Sequence, residues 1–293
     1  MNWLQLSLAT TKNNLDIWSD LLLEVGAVAI SVEDAQQQGI YELTPDHKPM
    51  WDKLKIIALF PEEVDPLLVQ AQLANDIDAN SLAAGQWKKI VEEDWLDKWK
   101  EDLQPMRFGS NLWICPSWCE MPDPTAINII LDPEQAFGTG THPTTALCLE
   151  WIANNINSGD VVVDYGCGSG ILAIAAVKMG ATKVYGTDID RLCLEVSNNN
   201  AQKNHVSADN FITCLPEQMP AIKADVMIAN ILAQPLVGLA PTLAALLKPQ
   251  GKLVLSGILA EQADMVIQGY RPWFEDFEVQ QQAEWVRITV SKY

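Results

Sequence analysis

Histidine is scarce in this 293-residue chain, three in all, and none of its six cysteines falls in a paired CxxC spacing. A zinc site needs several such ligands at close intervals, so no metal centre is expected. Cys115, Cys119, Cys148, Cys167, Cys193 and Cys214 are instead spread through apolar segments, as reduced packing residues are. Basic charge is equally thin: 19 Lys and Arg stand against 38 Asp and Glu, a formal net charge of −19. That charge repels phosphate backbones at long range, which argues against a nucleic-acid partner and leaves a basic protein or a small molecule as the better-suited substrate. Acidity that merely aids solubility is the bland alternative. No uncharged apolar run is long enough to cross a bilayer, and MNWLQLSLATTK lacks a basic start followed by an apolar block. The expectation is a cytoplasmic monomer with no membrane contact. Internal repeats and low-complexity tracts are missing as well.

What is present is ordinary for a folded protein, with 48% hydrophobic and 19% charged residues, and the length suits two domains. The first part alternates strand and helix patterns. Trp3 to Leu8 has period two, Leu15 to Val25 helical spacing, and Ala27 to Val32 reads as a strand. Lys53 to Phe60 is a further strand, Asp65 to Ile77 a helix and Trp87 to Val91 a strand, which together predict an α+β sandwich of the βαββαβ, ferredoxin-like type over residues 1–91. In EEDWLDKWKEDLQ, Glu92 to Gln104, Trp95, Trp99 and Leu103 recur every four residues and lie along one side of a helix. Residues 92–110 are thus a linker helix and connection, closed off by Pro105, with the tryptophans packing inward rather than meeting a partner.

From Asn111 the pattern turns to β followed by α. Val161 to Val163, Lys183 to Gly186, Val226 to Ile228 and Leu253 to Leu255 are nearly continuous apolar strands of the kind buried on both faces. Helical stretches lie between them, at Ile171 to Lys178, Leu192 to Asn204 and Leu236 to Leu247, which makes residues 111–293 a Rossmann-like, doubly wound α/β domain. Phe277 to Val279 and Trp285 to Val290 close it as an antiparallel hairpin.

The chemistry centres on Asp164-Tyr165-Gly166-Cys167-Gly168-Ser169-Gly170, which fills the crevice between a strand and the following helix. Gly166 and Gly168 let the main chain approach a ligand, while free amides at the helix start favour an anionic group such as a carboxylate. A nicotinamide fingerprint needs its third glycine where Ile171 stands, so the dinucleotide reading weakens. Asp164 weakens it further: a carboxylate repels a pyrophosphate and attracts an ammonium. S-adenosylmethionine carries an ammonium. Asp188 ends the next strand about twenty residues on, where an acid accepts from both ribose hydroxyls, although capping the helix near Asp190 is a competing role.

At the end of the fourth strand, Asn230 reaches the same crevice, and its amide oxygen can accept from a substrate nitrogen and aim the lone pair at the methyl carbon. A turn cap is the alternative. Deprotonating a lysine at neutral pH costs about 4–5 kcal/mol and an α-amine about 1, a cost the cationic sulfonium helps to offset. Before the first of these strands, Phe137 to Thr145 reads as a flexible cover with Gly138 and Gly140 as hinges. Thr139, Thr144 and Thr145 offer hydroxyls and amides to the cofactor's carboxylate, with capping of the next helix as the alternative role of Thr144 or Thr145. His142, followed by a proline and without a visible carboxylate, reads as loop structure rather than a base.

LDPEQAFGTGTHPTT, DYGCGSGILAIAA and ANILAQPL, with MNWLQL and PMRFGSNLWICPSW, resemble the large-subunit ribosomal protein L11 methyltransferase family from end to end. The resemblance implies a small substrate-recognition domain, a linker helix and a seven-stranded methyltransferase domain. It also implies trimethylation of lysine ε-amines and the N-terminal α-amine of one large-subunit ribosomal protein, with Thr145, Gly166, Asp188 and Asn230 on the cofactor. Another amine or nucleobase methyltransferase, a nicotinamide oxidoreductase and a noncatalytic cofactor sensor are the rival expectations.

Overall fold

The computed structural model describes residues 2–35, 53–91, 103–132 and 142–293, and the linker helix expected over 92–104 lies almost wholly outside them. The chain divides into two compact units, Met1–Asp102 and Leu103–Tyr293.

In the first unit, β1 (Asn2–Thr11), α1 (Leu15–Glu24), β2 (Ala29–Asp34), β3 (Lys53–Pro61), α2 (Pro66–Leu73), α3 (Ala79–Ala83) and β4 (Gln86–Val91) follow in order. The sheet runs β2-β3-β1-β4, antiparallel throughout, which is the ferredoxin-like arrangement. Period two does the sorting: Leu54, Ile56, Ala58 and Phe60 of β3 are buried and face Leu6 and Leu8 of β1. Leu15, Trp18 and Leu22 of α1 cover them at helical spacing. The helix expected from Asp65 to Ile77 is α2, which stops at Leu73, and a second short helix, α3, follows beyond that span. Asp65 caps α2 by accepting from Leu67 N at 2.9 Å, and Asp78 starts α3 by accepting from Ser81 N at 2.9 Å.

The second unit begins with a small sheet that the sequence pattern did not reveal: β5 (Met106–Phe108), antiparallel to β6 (Leu112–Cys115), which is parallel to β7 (Ile127–Ile130). Strands of three or four residues are too short to display a period. Then come α4 (Pro143–Asn155), β8 (Val161–Tyr165), α5 (Ile171–Lys178), β9 (Lys183–Thr187), α6 (Arg191–Lys203), β10 (Phe211–Cys214), β11 (Ala224–Asn230), α7 (Ala233–Leu246), β12 (Leu247–Leu259), α8 (Ala263–Tyr270), β13 (Phe274–Gln282) and β14 (Trp285–Lys292). The seven-stranded sheet runs β10-β9-β8-β11-β12-β14-β13, with the first five strands parallel and β14 antiparallel to both its neighbours.

Both faces of this sheet are covered. Val162, Ile228 and Val254 point to one core with α4 and α5, while Val163, Met227 and Leu253 point to the other with α7 and α8. Sequence order reverses between β8 and β11, and the carboxyl ends of those two strands therefore open the crevice in which α/β sheets of this kind bind ligands.

Candidate functional site

The turn after β8 is built on left-handed glycines, Gly166 at φ +83°, Gly168 at +51° and Gly170 at +78°. Their close approaches are to the protein itself: a Cβ on Gly166 would overlap Ile231 Cγ2, and one on Gly170 would lie 3.0 Å from Ser197 Cβ. The turn's amides are also less free than expected. Gly166 N and Cys167 N donate to Thr187 O at 2.7 and 3.0 Å, and Gly170 N donates to Cys167 O at 2.7 Å. Helix α6 braces the outer side of the turn, where Ser197 Oγ donates to Gly168 O at 2.8 Å and Asn200 Nδ2 to Ser169 O at 3.0 Å.

Asp164 is fully buried at the end of β8. Its Oδ2 accepts from Ala173 N in the first turn of α5 at 3.1 Å, so an internal carboxylate occupies the helix start where an external anion was expected. Its Oδ1 has no hydrogen-bond partner among the described residues. Burial pushes this carboxyl up to about 7, against the pull of the Ala173 amide and with a further push from Asp188. Asp188, at the end of β9, is half-buried and accepts through both oxygens, from Gly168 N and Asp190 N, each at 3.0 Å. The cap of α6 is Asp190, which accepts from Leu192 N at 2.9 Å, and Asp188 instead ties the glycine turn to the end of the neighbouring strand. Ile189 beside it is 87% exposed, an apolar face the sequence reading passed over.

Asn230 ends β11, and its Nδ2 donates to Thr145 Oγ1 at 3.3 Å across 85 positions of chain. The bond leaves the amide oxygen without a partner among the described residues. Thr145 is buried near the start of α4, and its amide is taken by His142 O at 3.0 Å, so the hydroxyl and not the amide serves the crevice. Neither Thr144 nor Thr145 caps this helix; His142 does, with Nδ1 2.8 Å from Thr144 Oγ1 and 3.4 Å from Thr144 N. Burial lowers the pKa of His142, which stands edge-on to Trp285 with ring centroids 5.0 Å apart. Arg287 on β14 anchors the same helix through Nη1 to Leu147 O at 3.0 Å. Phe137 and Thr139 lie outside the described residues, as do the expected hinges Gly138 and Gly140.

A family model described as ribosomal protein L11 methyltransferase matches residues 2–293. The chain belongs to this family. The ribosomal protein L11 methyltransferase of Pseudomonas putida strain W619 is 48% identical over 289 residues, 99% of each chain. That of Marinobacter nauticus is 47% identical over 292 residues, covering 99% of this chain and 98% of its own. A crystal structure of ribosomal protein L11 methylase from Lactobacillus delbrueckii subsp. bulgaricus superposes with a TM-score of 0.57 at 31% identity, over 65% of this chain and 99% of that one.

Fold and family make this member an S-adenosylmethionine-dependent methyltransferase, and the crevice suits that cofactor. The unpaired Oδ1 of Asp164 is a buried acceptor that calls for a donor. Asp188 still has lone pairs to offer beside an exposed apolar side chain. Ser197 and Asn200 are the supporting residues that sequence reasoning missed. In LCLEVSNNNAQKN a polar face turned to the interior looks the same as one turned to water, and only the buried state of Ser197 and Asn200 distinguishes them.

Proposed function

We propose that this crevice methylates amine nitrogens of ribosomal protein L11, lysine ε-amines and the N-terminal α-amine, in the cytoplasm and as a monomer. The observation that carries this reading is the Asn230 amide, held by Thr145 at the carboxyl edge of β11 with its oxygen left to accept. When bound, the cofactor supplies a methyl group activated on a sulfonium. Asp188 accepts from the ribose hydroxyls, Asp164 Oδ1 from the ammonium, and the backbone at Gly166 and Gly168 forms the floor. Asn230 Oδ1 accepts a hydrogen from the neutral substrate amine and so aims its lone pair, which makes positioning the main contribution of the protein. Phe137 and Thr139 belong to the cover in this reading.

Residues 111–293 carry out the transfer, 92–110 connect, and residues 1–91 recognise the protein substrate. Support for the last point is that the first unit has its own core and none of the crevice residues. The buried acid at 164 disfavours a pyrophosphate ligand and with it the nicotinamide alternative. Mass spectrometry of purified ribosomal protein L11 after incubation with enzyme and methyl-labelled cofactor is the test. Labelled lysine or N-terminal amine is the expected product, and an unlabelled protein beside a labelled metabolite or nucleobase would refute the assignment.

A further inference from the structure

Ile231, the residue after Asn230, is gripped from two sides by glycines of opposite origin. Its side chain lies on Gly166 of the cofactor turn, where a Cβ would overlap Ile231 Cγ2. Its peptide lies on Gly257 of β12, where a Cβ would overlap the Ile231 carbonyl oxygen and stand 2.7 Å from the carbonyl carbon and 3.1 Å from Ile231 N. Both glycines are left-handed, at φ +83° and +81°, so neither position accepts a side chain without strain. Gly257 follows Ser256, the last partner of Asn230 in the β11–β12 register, and sits where the β12–β14 pairing shifts between Leu255 and Ile258. The bulge thus turns the β12 backbone against the segment that leaves β11.

We propose that Ile231 is a positioning residue, wedged between Gly166 and Gly257, which sets the spacing between the cofactor turn and the Asn230 amide. The inference rests on the functional reading above. The Gly166 contact is made by one particular methyl, the Cγ2 of a β-branched side chain, and this makes the wedge separable from bulk packing. Valine keeps that methyl and loses only the terminal one. Leucine keeps the volume and loses the β-branch. Ile231 is also only partly buried, so both replacements fit the fold.

The experiment compares Ile231→Val and Ile231→Leu in the full chain by three measurements: turnover on ribosomal protein L11, the dissociation constant for S-adenosylhomocysteine by titration, and the melting temperature. Ile231→Val retains most of the turnover. Ile231→Leu loses about tenfold or more in kcat, because a sub-ångström shift of the acceptor is costly, while product affinity changes by no more than about threefold and the melting temperature stays close to that of wild type. Equal turnover in the two variants overturns the inference, as does a leucine defect matched by an equal loss of S-adenosylhomocysteine binding or by unfolding. If the wild type itself places no methyl group on ribosomal protein L11, the functional reading falls and the wedge with it.

Discussion

Three polar side chains on neighbouring strand ends divide the work of the crevice, and each fails in its own way when removed. Asp188→Ala leaves Gly168 N and Asp190 N without their acceptor as well as the ribose, and cofactor binding should weaken by about tenfold to a hundredfold in a titration. Asn230→Ala should lower kcat by about a hundredfold with a smaller effect on cofactor affinity, since its oxygen serves the acceptor amine. Equal and mild losses in both parameters would contradict these roles. Asp164 predicts a pH signature. Its carboxyl sits at about 7 in the folded protein, above its value in an unfolded chain, so it contributes stability at low pH that is lost as pH rises through about 7. Without cofactor, Asp164→Asn should therefore gain on wild type in thermal melts progressively between about pH 4 and about pH 7, and level off above that. An arriving ammonium favours the ionised form, so cofactor binding near neutrality should release a proton, which calorimetry in buffers of different ionisation enthalpy measures. Binding without proton release would place the ammonium elsewhere.

At the scale of elements, α6 does more than cover the sheet. Ser197, Asn200 and Asn204 form a buried polar row along it, in which Asn204 accepts from Ile130 N at 2.7 Å and donates to Ile130 O at 2.8 Å. One helix thereby holds the glycine turn and the end of β7. Asn204→Ala strands both backbone groups of Ile130 and should cost about 1–3 kcal/mol in denaturant unfolding, and Asn204→Asp should cost no less, since its carboxylate would be buried against Ile130 O and Asn200 O. An alanine variant as stable as wild type would mean that water replaces the side chain. The elements of the sheet core were legible because they are continuous apolar runs: Ile171–Lys178 is a helix over the span read from the pattern, and the parallel strands β8, β9 and β11 were found where such runs stand. β5, β6, β7 and β10 were not, since three or four strand residues show no period; α8, whose Ala263, Val266, Ile267 and Tyr270 stand at helical spacing, was passed over.

For the whole molecule, two separate cores mean two units that can each hold together. One is gathered around Phe60, Trp18 and Leu22, the other on the two faces of the seven-stranded sheet. A chain beginning at Leu103 should still bind S-adenosylmethionine in a titration yet lose methylation of ribosomal protein L11. Retained methylation of the ribosomal protein would remove the recognition role from residues 1–91.

By itself the sequence determined the family, the doubly wound sheet, and which strand ends carry Asp164, Asp188 and Asn230, because apolar period and glycine spacing are local properties. Only the tertiary structure decided what each group is bound to. The amides of the glycine turn are spent on Thr187, Cys167 and Asp188, the start of α5 is occupied by Asp164, His142 and not a threonine caps α4, and Gly166 and Gly257 meet Ile231. The farthest of those partners, Gly166 and Ile231, lie 65 positions apart in the chain, and a contact over that distance exists only once the sheet has brought the strand ends together.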